Sequence, residues 1–140
     1  MRELIERYVR ELVKIPSTSN TETEKSCADY IAEELAKQPY FKEYPEQTGK
    51  YLLPEDSFGR SVPWGLVKGR NGSRKTIILT GHYDVVDTEE YGNERALAYD
   101  VEKWEDLVKS GNALPGMPEE VKEDFLSGEW MFGRGTADMK

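Results

Sequence analysis

Three observations predict an α/β fold for this 140-residue chain. Apolar residues recur at helical spacing in two segments near the start. A nearly continuous apolar run, Thr76-Ile77-Ile78-Leu79-Thr80, has the character of a strand covered on both faces. Helical segments return beyond it. Helices and strands in that order suit a layered α/β domain, and the length suits one domain or part of one. In such sheets ligands bind beyond the carboxyl ends of the strands.

Leu4, Ile5, Tyr8, Val9, Leu12 and Val13 form one apolar stripe with charges opposite, which predicts an amphipathic helix over 2–14, stopped by Pro16. A polar connector, Ser17 to Thr23, leads to a second helix that runs to about Lys37 and buries Cys27, Ile31 and Leu35. Thr21 with Glu24 is a capping-box pattern, and Ser19 with Glu22 is a rival register. Pro39 ends that helix. Tyr40, Phe41, Tyr44, Tyr51, Leu52 and Leu53 suggest strand pieces broken by Pro45, Gly49 and Pro54. The three aromatic residues at 40, 41 and 44 read as core or edge packing.

Val62 to Val67 reads as a strand, and Gly69-Arg70-Asn71-Gly72 has hairpin chemistry. The apolar run follows and ends at Gly81, immediately before His82. Asp87 to Asp106 is an acidic, loop-rich excursion with a short helix near Val101 to Lys109. Pro118 precedes another acidic helix, about Glu119 to Leu126, and a glycine-rich end follows Trp130-Met131-Phe132.

Composition narrows the function classes. Lys and Arg number 19 against 27 Asp and Glu, a formal charge of -8. Residues 1–86 hold 13 acids and 13 bases, so residues 87–140, with 14 and 6, carry the whole excess. Phosphate backbones need clustered cations, so nucleic acid is not an expected partner. The acidic stretch reads as a solvated face. There is no apolar stretch of the ~18 residues that a transmembrane helix needs, so no membrane partner is expected. The charges among residues 1–14 are incompatible with a secretory signal, and one thiol, Cys27, allows no intramolecular disulfide, which points to a reducing cytoplasm. Cys27 itself reads as a core thiol. Nucleotide binding lacks its phosphate loop.

Two motifs could carry chemistry. His82, the single histidine, is followed two residues later by Asp84, and in an extended chain these point to the same side. A carboxylate behind an imidazole fixes its tautomer and raises its basicity as a metal ligand. On spacing alone, the pair is better read as a strand-end histidine hydrogen-bonded to a nearby acid. In the second motif, Gly133 and Gly135 flank Arg134 and permit tight backbone geometry that could deliver the Asp138 carboxylate into a crowded site. Alone it reads as an ordinary turn, with Arg134 bracing the loop.

Taken together, Gly81-His82-Tyr83-Asp84-Val85-Val86 and Gly133-Arg134-Gly135-Thr136-Ala137-Asp138-Met139-Lys140 resemble the dizinc aminoacylase, acetylornithine deacetylase and glutamate-carboxypeptidase family of metallohydrolases. Trp130-Met131-Phe132 and the early Val13-Lys14-Ile15-Pro16-Ser17 also fit, so the resemblance covers most of the chain. It implies that His82 binds one zinc, that Asp84 holds that histidine and serves catalysis from behind it, and that Asp138 bridges both zincs. It implies a three-layer α/β/α catalytic domain, of which residues 1–140 are the N-terminal part. The activity implied is cleavage of an amide or peptide bond of an N-acyl amino acid or small peptide by metal-activated water. A homodimer of the full-length enzyme is compatible with the family, through a surface that lies largely elsewhere.

Two departures qualify the resemblance. Val86 to Trp130 is longer and more acidic than the usual connection, which resembles the arginine-utilisation branch of the family. The family's general-base glutamate and remaining zinc ligands lie beyond its bridging aspartate, whereas Glu89-Glu90 precedes Asp138 and reads as a solvated loop. The chain by itself is therefore expected to be inactive. The alternative is a truncated domain that acts by binding, without catalysis.

Overall fold

A computed structural model describes residues 1–72, 74–110 and 117–137. Its backbone divides into two units: Ser17–Asp84, and Met1–Pro16 together with Val85–Lys140. Among the described residues no helix is long and apolar enough to cross a membrane.

The contiguous unit is built on α2 (Thr23–Ala36), the short α3 (Pro39–Glu43), a 3-10 turn at Pro45–Gln47, and strands β1 (Thr48–Leu52) and β2 (Ser61–Gly65). The start of α2 is organised differently from the expected box. Glu24, buried, turns its carboxylate back to accept the Asn20 N–H at 2.6 Å, and the Thr23 hydroxyl accepts the Thr18 N–H at 3.1 Å. Asn20 takes a positive φ of 60°, which Asn tolerates better than most residues. Cys27 and Ala28 are fully buried on this helix, as expected of a core thiol.

β1 and β2 pair antiparallel, with Thr48 opposite Gly65 and Leu52 opposite Ser61. The hairpin connection is closed by Asp56. Its carboxylate accepts the Arg60 backbone N–H at 2.7 Å and two guanidinium N–H groups at 2.9 and 2.6 Å. These bonds hold the Asp56 carboxyl below the usual carboxylate range. Pro63 lies within β2, where a two-stranded sheet tolerates its missing N–H.

Two strand expectations differ from the structure in this unit. Tyr40 to Tyr44 is mostly helical, because Pro39 opens a turn at the first helical position instead of merely ending α2. Phe41 from that turn is buried, and the Tyr40 ring meets it edge-on at 5.3 Å. Thr76–Thr80 belongs to no strand: Ile77, Ile78 and Leu79 are 86, 78 and 92% exposed. A strand covered on both faces needs paired neighbours and a layer on each side. Among the described residues the sheet is β1–β2 alone. The described architecture is thus mixed α/β with a small antiparallel sheet. The turn at Arg70 and Asn71 is present, with Gly72 at φ 63°, but its flanks are not paired as a hairpin.

Phe41 also makes Gly65 obligatory. A Cβ there would lie 2.6 Å from Phe41 Cζ, with two further ring atoms within 3.3 Å. The Phe41 ring is buried and cannot swing away, so Gly65→Ala forces strand and ring apart. The expected cost is ~1–3 kcal/mol, read as a lower Tm and denaturant midpoint with an unchanged m-value. Wild-type stability in Gly65→Ala would show that the close approach is not a constraint.

The discontinuous unit contains α1 (Arg2–Val13), 3-10 turns over Glu89–Tyr99 that break at Gly92, α4 (Val101–Lys109) and α5 (Glu119–Ser127). These helices match the periodicity expected of them. Asp100 caps α4 by accepting the Lys103 N–H at 3.0 Å. Arg10 and Lys14 of α1 reach Glu105 at 2.7 Å and Glu102 at 3.0 Å on α4. Leu97 and Trp104 form a buried cluster joined by Tyr91, Leu107, Met117 and Phe132.

Candidate functional site

His82, Tyr83 and Asp84 follow the exposed run outside any helix or strand, and their side chains alternate as read from the sequence. His82 Nδ1 lies 3.1 Å from Asp84 Oδ1, on the same side of the chain. Tyr83, between them, points elsewhere and donates its hydroxyl to the Ser61 carbonyl at 2.8 Å. Its burial pushes the Tyr83 phenol above its ordinary pKa.

The polar connector before α2 supplies the rest of the geometry. Ser17, fully buried, donates its hydroxyl to the Tyr83 carbonyl at 2.6 Å. Ser19 donates to Asp84 Oδ2 at 2.7 Å. The Asp84 carboxylate is therefore held at both oxygens. Its pKa is lowered, first by the Ser19 hydrogen bond, against an opposing contribution from partial burial, and then by the bond to His82. An ionised carboxylate only accepts hydrogen bonds, so the His82 ring must present a proton at Nδ1. Nε2 is then the ring atom with a lone pair suited to a metal ion. In the sequence Ser19 reads as a rival helix cap and Ser17 shows no site role: their period-two spacing is visible there, but their partners are not.

The glycine-rich motif is described as far as Ala137. A turn over Arg134–Ala137 has Gly135 at φ 87°, the positive value that its glycine permits, and the Thr136 hydroxyl donates to the Gly133 carbonyl at 3.1 Å. The Arg134 N–H donates to the Ala98 carbonyl at 2.7 Å. Its guanidinium pairs with Glu90 and lies 5.4 Å from the centre of the Tyr91 ring. Arg134 thus braces its own unit, and Glu90 is its partner instead of a purely solvated loop acid. Asp138 lies outside the described residues, as does Met139. Among the described residues no group of three or more His, Cys, Asp and Glu side chains is placed to hold a metal ion.

Known proteins add a further constraint. Over 138 residues, 99% of its length, the chain is 34% identical to protein RocB of Bacillus subtilis (strain 168), of which the match covers 24%. Over 130 residues, 92% of its length, it is 39% identical to the uncharacterized protein YqjN of the same strain, covering 22% of that protein. The chain spans about a quarter of the length of these relatives. No family profile matches it, and no solved structure does.

Proposed function

We propose that this chain is the N-terminal part of the catalytic domain of a zinc-dependent hydrolase, which cleaves an amide or peptide bond of an N-acyl amino acid or small peptide in the cytoplasm. His82, through Nε2, and Asp138 are the residues that would hold zinc, and Asp84 fixes the His82 ring from behind. The observation that carries the reading is the Asp84 carboxylate, anchored on one oxygen and bonded through the other to His82 Nδ1. That donor set fits a metal-binding imidazole. Zinc, when bound, would supply an activated water and polarise the scissile carbonyl. The chain's own contribution is to hold the Nδ1 proton and aim the ring. The three-layer domain and the homodimer belong to the same proposal, as does the arginine-utilisation branch, for which the similarity to protein RocB over nearly the whole chain is the support. Activity is assigned to a protein of the relatives' length, of which this chain spans about a quarter.

The exposed Ile77–Leu79 run favours one alternative, a non-catalytic domain that acts by binding. Metal binding separates the two. With a single histidine in the chain, the ring signals of His82 stand alone in an NMR spectrum. Added zinc is expected to move Nε2 strongly and Nδ1 weakly. Ring signals that stay fixed in a large excess of zinc would remove His82 from the ligand set and leave the binding domain as the reading.

A further inference from the structure

We infer that Ser19 is a positioning residue that sets the tautomer and orientation of the His82 ring through Asp84. The inference deepens the proposed function and rests on reading His82 as a ligand. A carboxyl group rotates broadly about its last torsion, and the Asp84 side chain is 37% exposed, so packing alone does not choose which oxygen faces the ring. The hydroxyl of Ser19 makes that choice. It has one proton, and it gives that proton to Oδ2 at 2.7 Å, which leaves Oδ1 facing His82 Nδ1 at 3.1 Å.

The connector is itself held in place. Ser17 is two residues before Ser19 and bonds the Tyr83 carbonyl, so the two hydroxyls engage consecutive residues of the site segment. Asn20, next in the chain, is tied by its N–H to Glu24 of α2. Ser19 is thereby presented from a fixed backbone next to α2. With Oδ2 taken by the Ser19 proton, Oδ1 is left to accept from Nδ1–H, which turns the Nε2 lone pair outward.

The test uses the zinc-free chain, 15N-labelled, at a pH where the ring is neutral. Ring nitrogen shifts then report the ratio of Nδ1–H to Nε2–H tautomers at the single histidine. Ser19→Ala is expected to lower that ratio by about five- to tenfold, the effect of one ordinary net hydrogen bond. Ser19→Thr keeps the hydroxyl and is expected to restore it. Ser19→Cys, with a weaker donor, should fall between and serves if the alanine variant does not fold. An unchanged ratio in folded Ser19→Ala, or in Ser19→Cys if the alanine variant does not fold, overturns the inference. Equal losses in the alanine and threonine variants also overturn it, since the cause is then packing. Because no zinc is present, these outcomes judge Ser19 alone, whereas zinc that leaves the wild-type ring unmoved defeats the ligand reading.

Discussion

His82→Ala is expected to abolish the proposed zinc binding by this chain, while Asp84→Asn is expected to retain it at lower affinity. The asymmetry follows from the geometry. The imidazole is the proposed direct donor, and no second histidine or exposed thiol can take its place, because the chain has one histidine and Cys27 is fully buried. Asp84 acts one bond further out, through Nδ1. Losing such a supporting carboxylate typically weakens a metal site by ~10–100-fold without removing a ligand. Equilibrium dialysis with metal analysis measures both variants directly. Equal zinc stoichiometry in wild type and His82→Ala would count decisively against the assignment, and equal losses in the two variants would make Asp84 a ligand instead of a support.

The second large effect is on stability. Trp104 lies on the inner face of α4, 7% exposed, packed with Leu97 in the buried cluster and with its ring centre 6.2 Å from that of Tyr91. Trp104→Ala removes most of that contact area and leaves a cavity beneath α4. The expected loss is ~3–5 kcal/mol. Set against a typical total of ~5–15 kcal/mol, this places the discontinuous unit near its unfolding threshold. Denaturant unfolding followed by circular dichroism checks it. Trp104→Phe, which keeps an apolar ring, should recover most of the loss. A loss below ~1 kcal/mol in Trp104→Ala would mean that the cluster is not the core of its unit.

What could be read from the residues, and what could not, divides along physical lines. α1, α2, α4 and α5 were legible because helix signals are local: an apolar stripe, a cap and a proline within a few residues of each other. Tyr40 to Tyr44 misled because aromatic residues resemble strand residues, whereas the deciding feature was Pro39 at the first helical position. The run at Ile77–Leu79 was legible as residues that favour burial. Whether anything buries them depends on partners that the run does not encode. At the site, the His82–Asp84 pair was legible because its spacing is two. The Ser19–Asp84 bond was not, since its members are 65 positions apart and a serine next to a helix has a simpler local use.

The division of the backbone has a consequence for how the molecule is made. Residues Ser17–Asp84 are one unbroken stretch, whereas the other unit combines residues 1–16, made before that stretch, with residues 85–140, made after it. Arg10 and its partner Glu105 are 95 positions apart. At a synthesis rate of ~5–20 residues per second, α1 spends several seconds outside the ribosome before α4 exists to receive it. The contiguous unit, with its hairpin and the Ser17 and Ser19 bonds, has all its parts earlier and can assemble during that wait. The order of birth therefore favours building the His82–Asp84 geometry first. The cluster around Trp104, whose members lie between Tyr91 and Phe132, closes later.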